Sequence, residues 1–239
     1  MSLFRTPEKP GSVTFMLRGG PDVDLLRFAL GLAPRGRKAK PLAVIGTDRS
    51  PNFYAGDKTI GSFVLVEAKT LAEIEASIAE VRRRKRSFSG VVINSVTDWW
   101  NAQLEAHEVV TKDGGRVVPP RAWRVLREER EQQIRALQSL PFPVVLICEE
   151  RPVFERTEAE LREVGTREDT DKKEAYLSDV RLRLFSRAGT ECAEVLKDRT
   201  GRFPMGAIVE KPAISMWLPP SVVELVQAQI ERTQKGASA

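Results

Sequence analysis

Short apolar runs that stop at a small or polar residue and give way to a stretch of helical period recur along this chain, at residues 13–17, 41–45, 62–66, 90–94 and 143–148. Unbroken rather than alternating runs mark strands buried on both faces of a parallel sheet, with the helical stretches between them as crossovers. Leu71, Ile74, Ile78 and Val81 recur at helical spacing within 70–86. Helices are predicted there, over 23–32 and 97–108, and from Pro119-Pro120 to about residue 140, the last burying Trp123, Leu126, Ile134 and Leu137. After residue 180 the period changes. Val180, Leu182 and Leu184 alternate with Arg181, Arg183 and Phe185, residues 187–190 read as a hairpin turn, and 192–196 as a further short strand. The predicted fold is therefore α/β, a mostly parallel central sheet flanked by helices with an antiparallel C-terminal extension. Residues 149–174 are rich in charge of both signs and poor in apolar residues, which predicts a mobile loop or irregular excursion.

At 239 residues the chain suffices for one α/β domain, with a loose start over 1–11, a core over 12–212, and a C-terminal helix (221–232) and tail within 213–239. Thirty-eight Lys and Arg against thirty-three Asp and Glu give a net charge of +5, compatible with a polyanionic partner but below the density of a DNA-packaging protein. No apolar run approaches the ~20 residues of a membrane span, and two cysteines, Cys148 and Cys192, fall in predicted strands. A reduced, cytoplasmic protein without membrane contact is expected. His107, the single histidine, has no Cys or carboxylate at a metal-site spacing, so no zinc site is expected either.

Candidate chemistry lies where strands end, because open α/β sheets bind ligands beyond the carboxyl ends of their strands. The first strand runs into Arg18-Gly19-Gly20-Pro21-Asp22 and then a helix, the layout in which backbone N–H groups and a helix amino terminus surround phosphates. Laid on GxxxxGK[ST] with its first glycine at Arg18, the chain has Val23 at the last glycine, Asp24 at the lysine and Leu25 at the hydroxyl. A carboxylate would then face the phosphates, and two like charges about 4 Å apart repel by roughly 4 kcal/mol at an effective dielectric near 20. On the plainer reading Asp22 caps the helix after a Gly-Pro turn.

The stretch VVINSVTDWWNAQLEAH resembles the second nucleotide motif of RecA/KaiC-like ATPases, and most of all that of compact phage-encoded recombination ATPases. The likeness runs over about residues 12 to 212 and implies a RecA-like P-loop fold. In that family the strand ends in a carboxylate that holds the Mg²⁺ of Mg-ATP, and here the residue is Asn94. The strand over 41–45 commonly ends there in Asp-Thr-Glu, whose glutamate orients the attacking water. Here Gly46-Thr47-Asp48 replaces it. With Asp24, Leu25, Gly46, Asp48 and Asn94 at the five positions, the resemblance implies a pseudo-ATPase with no cofactor. Any residual nucleotide contact would fall to Gly19, Gly20, Asp22 and Val23. Two alternatives stay open: an ATPase using Mg-ATP with Asp48 or Asp98 as the acid and Arg18 or Arg49 on phosphate, and a virion or scaffold subunit binding neither nucleotide nor DNA.

Lys197-Asp198-Arg199 resembles the Lys-x-Arg element that KaiC/RadA-like relatives extend to a neighbour's ATP, which implies a homo- or hetero-oligomer of RecA-like subunits with Lys197 and Arg199 at the boundary. A basic turn held by Gly201 and Pro204 accounts for the same residues. Sequence-independent DNA contact is expected from the loop residues Arg35, Arg37, Lys38 and Lys40 and from the run Arg82, Arg83, Arg84, Lys85 and Arg86, unless the run is only a solvated helix end. Trp99 and Trp100 are expected to pack rather than to stack on bases.

Overall fold

The computed structural model describes residues 12–36, 39–156 and 161–218; the helix predicted at 221–232 lies outside them, as do Arg37 and Lys38. The first four apolar segments all join one sheet as parallel strands: β1 (Thr14–Gly19), β2 (Leu42–Gly46), β3 (Phe63–Glu67) and β4 (Gly90–Asn94). They are followed by the ribbon β5 (Val109–Val110) with β6 (Arg116–Val117), by β7 (Val144–Arg156) and β8 (Leu161–Glu168), and by β9 (Val180–Arg187), β10 (Thr190–Asp198) and β11 (Ile208–Glu210). The order across the main sheet is β11-β10-β9-β1-β7-β4-β2-β3, with β8 paired to β7 outside that path. Strands β9, β1, β7, β4, β2 and β3 run parallel, and β10 and β11 add the antiparallel extension.

Helices cover both faces, which is why the central strands are apolar without interruption. On one face α1 (Leu25–Leu30) buries Leu26, Phe28 and Leu30 against Phe15, Leu17, Val44, Val92 and Val145. On the other, α2 (Leu71–Arg83), α3 (Val96–His107) and α4 (Pro120–Gln138) bury Ile74, Ile78, Trp99, Ile134 and Leu137 against Met16, Ile45, Ile93 and Leu146. The helix starts are set locally. Thr70 and Glu73 form a reciprocal capping box on α2, and the Ser95 hydroxyl accepts from the Asp98 N–H on α3. Helix α1 starts later than the pattern suggests, and its cap is Asp24, accepting from the Arg27 N–H at 2.8 Å. Asp22 instead accepts from the Ser186 N–H at 3.3 Å, which corrects the capping reading.

Residues 149–174 depart most from expectation. They form no irregular excursion: β7 continues past the sheet to Arg156 and pairs antiparallel with β8, giving a two-stranded arm, and α5 (Lys172–Leu177) follows. Charged residues dominate this strand pair, so no sustained apolar period announces it.

Candidate functional site

Strand register brings the candidate positions to one edge. Gly19 is level with Glu149, Gly46 with Asn94, and Asn94 with Ile147, so the carboxyl ends of β1, β2, β4 and β7 open together. The cleft there has a volume of about 1040 Å³, and Gly19, Gly20, Asp22, Val23, Asp24, Leu25, Asp48 and Asn94 all line it. Asp24 and Asn94 thus meet beside the Gly19-Gly20 turn. A Cβ at Gly19 would approach Val23 Cγ2 to 2.6 Å and the Leu184 carbonyl oxygen to 2.7 Å, so the turn closes on bare backbone.

Within the cleft several polar side chains are engaged by the chain's own groups. Asp24 takes the helix N–H, and its second oxygen accepts from the Tyr54 hydroxyl, whose ionisation is pushed up first by burial and then by that bond. Asp48 turns back on its own loop, accepting from the Ser50 N–H at 3.0 Å and the Ser50 hydroxyl at 2.7 Å. The Asn94 amide donates to Ser50 Oγ at 3.0 Å, and Asp98 accepts from Thr47. A Cβ at Gly46 would meet Pro51 Cγ at 3.0 Å and Leu65 Cδ1 at 3.3 Å, so a side chain there would press on its neighbours.

Charge decides what this cleft tolerates. Among the described residues seven carboxylates line it, from Asp22, Asp24, Asp48, Asp98, Glu149, Glu150 and Glu163, and no Lys, Arg or His does. The Glu149 carboxyl is held above its ordinary range, first by burial and then by repulsion from Asp98 and Asp169. Arg18 offers no phosphate contact. It is buried, its Nη1 donates to the Thr166 carbonyl at 2.7 Å, and its Nε lies 3.5 Å from Glu150 and 3.8 Å from Glu168. No group of three His, Cys, Asp or Glu among the described residues is arranged to hold a metal ion.

A second cleft, of about 680 Å³, lies across the arm from the first and was not anticipated. Trp100 and Leu104 of α3, Trp123 and Arg127 of α4, Arg151 and Arg167 of the arm, and Lys172, Lys173 and Tyr176 of α5 line it, together with Thr170 and Asp171. Five cations and three aromatic rings thus surround a single carboxylate. The Trp100 and Trp123 rings lie 6.4 Å apart, the Arg127 guanidinium sits 5.5 Å above the Trp123 ring, and Tyr176 is 69% exposed. Trp123 is half-buried rather than fully covered. Arg127 pairs with Asp171 at 3.5 Å, Arg151 with Asp169 at 3.1 Å and Lys173 with Glu131 at 2.8 Å; in each pair the basic side chain remains about half exposed, and such pairs are typically worth 1 kcal/mol or less, so an incoming polyanion can replace them. Arg151 and Arg167 stand directly opposite each other across the arm, a like-charge placement that costs stability on its own.

The floor of this cleft is locked from inside. Arg130 and Glu174 form a fully buried ion pair; the guanidinium lies 3.6 Å over the Trp99 ring and donates to Gln103 Oε1 at 3.2 Å and the Val96 carbonyl at 3.3 Å. Glu174 also accepts from the Thr170 hydroxyl at 2.6 Å. Burial alone would neutralise both partners, pushing Glu174 up and Arg130 down, so mutual attraction and these bonds keep α5 seated.

The other predicted cations lie elsewhere. Arg35 donates to the Thr59 carbonyl at 2.6 Å, and Lys40 is exposed just ahead of β2. Arg82 to Arg86 are exposed where α2 ends and the chain turns into β4, the opposite edge of the sheet from both clefts; Arg83 pairs with Glu80 at 2.6 Å, and Arg84 covers Phe88. Lys197 and Arg199 also sit at that edge, where Asp198 pairs with Val180. Both are engaged within their own chain. Lys197 Nζ donates to the Tyr176 carbonyl at 2.6 Å and to that of Ser178, while Arg199 reaches the Tyr176 and Leu177 carbonyls at 3.4 Å and Asp179 at 3.6 Å. They satisfy the carboxyl end of α5, as cations at a helix terminus do.

No family model matches the chain, and no curated protein matches it. Among solved structures, one described as the crystal structure of the RadB recombinase superposes with a TM-score of 0.53 at 20% identity, covering 84% of this chain and 86% of that one. With its parallel sheet, its helices on both faces and its strand-end clefts, this chain has the RecA-like α/β fold.

Proposed function

We propose that this protein is a catalytically degenerate RecA-like protein that works by binding single-stranded nucleic acid and by assembling with RecA-like subunits, in DNA recombination, repair or phage DNA processing. What carries the loss of catalysis is the composition of the cleft at the carboxyl edge, seven carboxylates without one cation. A triphosphate would add like charge at every approach. What supports binding is the neighbouring cleft, in which exposed arginines and lysines surround aromatic rings, the combination that tracks a backbone and stacks unpaired bases. This transfers the nucleic-acid contact from Arg82 to Arg86 to Arg127, Arg151, Arg167, Lys172 and Lys173. Arg199, half exposed at the opposite edge, belongs to the surface offered to another subunit.

Two titrations test the proposal. Mg-ATP should leave the melting temperature unchanged, whereas a ligand bound at a hundred times its Kd adds about 2.7 kcal/mol of stability. A dT oligonucleotide should quench tryptophan fluorescence with an affinity that falls steeply as salt rises. Stabilisation by Mg-ATP would restore the ATPase alternative, and indifference to both ligands would favour the scaffold subunit.

A further inference from the structure

The β7–β8 arm is a wall common to two clefts of opposite charge. Glu150, Pro152, Glu163 and Thr166 face the acidic cleft, whereas Arg151 and Arg167 face the basic one. Successive residues of a strand point to opposite faces, so swinging the arm narrows one cleft as it widens the other. Its attachments are confined to its root. The last pairings of β7 with the sheet are Ile147 to Asn94 and Glu149 to Gly19, and beyond them only β8 pairs with it. The root itself is tied by side chains: Arg18 donates to the Thr166 carbonyl at 2.7 Å, Arg183 to Glu150 at 2.8 Å, and Arg181 holds Glu168. Farther out, Phe154 and Val164 are 51% and 54% exposed, so neither is buried in the core. The opposed Arg151 and Arg167 repel each other, and Arg151 is offset only by its partly exposed pair with Asp169 at 3.1 Å.

We propose that the arm is a lever hinged at the Arg18, Glu150 and Glu168 cluster, and that single-stranded nucleic acid held by Arg151 and Arg167 draws it toward α4 and α5 and opens the acidic cleft. The proposal rests on the reading of the basic cleft as the nucleic-acid site. Coupling between sites is reciprocal, so whatever holds the acidic cleft open tightens nucleic-acid binding by the same factor.

Spin labels at Phe53→Cys, 84% exposed and next in sequence to the cleft-lining Tyr54, and at Glu163→Cys, on the arm, measure the opening by pulsed dipolar spectroscopy in a Cys148→Ser, Cys192→Ala background. If those replacements disturb the fold, the same labels serve in the otherwise native chain, because Cys148 and Cys192 are buried. Saturation with a dT oligonucleotide should lengthen the distance by more than about 2 Å, the scale of a loop rearrangement, and Arg151→Ala with Arg167→Ala should hold it at the unliganded value. An unchanged or shortened distance with oligonucleotide bound, as read by tryptophan quenching, overturns the lever and leaves the nucleic-acid site standing. Absence of binding overturns that site and the lever with it.

Discussion

The acidic cleft and the basic cleft stand on either side of one arm at one edge of one sheet, yet their chemistries are opposite. The first is built from a strand, a glycine turn, a helix and an adjacent strand end, and holds carboxylates several of which are bonded to the chain's own groups. The second is assembled from helices and arm, inherits no motif, and collects the cations and exposed aromatic surface. Position in a fold therefore tells where a ligand can sit, while charge and hydrogen-bond occupancy tell which ligand is admitted.

The largest test of that contrast removes the support of one cleft only. Arg130→Ala should cost about 3–5 kcal/mol by denaturant unfolding, since it strands Glu174 as a buried charge, and Arg130→Met with Glu174→Leu should recover most of the loss. If Arg130→Ala is nearly neutral, α5 is not seated by the pair. Next, Trp123→Ala should weaken dT oligonucleotide binding by about 1–3 kcal/mol, roughly 5- to 160-fold, without changing the salt dependence. Arg151→Ala with Arg167→Ala should instead reduce the slope of log K against log salt by about 1.4, two phosphate contacts at about 0.7 each, whereas neutralising Arg82 to Arg86 should leave it unchanged. An altered slope from the α2 variant would return the contact to the opposite edge.

Smaller effects probe the acidic cleft and the clamp on α5. Asp24→Ala should lower stability by about 1 kcal/mol through loss of the helix cap, and neither it nor Asp24→Lys should confer Mg-ATP stabilisation in a thermal-shift titration, because the remaining carboxylates and Gly46 persist. The Lys197 ammonium, desolvated and beside Arg199, has its pKa lowered to about 8 from 10.5. Below pH 8 both folded and unfolded chains carry the charge and the penalty is complete; between pH 8 and 10.5 only the unfolded chain still binds the proton, so stability rises with pH over that window. Lys197→Met should flatten this rise in unfolding curves collected at successive pH values.

Much of the scaffold was legible before any coordinates. The runs at 41–45 and 90–94 announce strands buried on both sides, and Gly19-Gly20 followed by Asp24 announces a phosphate-loop layout with the wrong charge. The arm escaped because Arg151 and Arg167 on one face and Glu150 and Glu168 on the other cancel in composition, and its few apolar residues, Val153, Phe154, Leu161 and Val164, follow no sustained alternation. The mistaken cap at Asp22 shows a finer limit, since Asp22 and Asp24 are equally able to cap and the Ser186 N–H that engages Asp22 is 164 residues away.

By itself the sequence determined the α/β class, the strand ends where a site must lie, and the absence of a lysine at the turn, because these depend on local period and residue type. Only the tertiary structure decided which charges face one another. Arg130 and Glu174 are 44 residues apart, and Trp100, Trp123, Arg151 and Tyr176 come from four separate elements. Coulombic and stacking interactions act through space over a few ångströms, so their sign and strength are set by the packing that brings distant segments together, which no local pattern encodes.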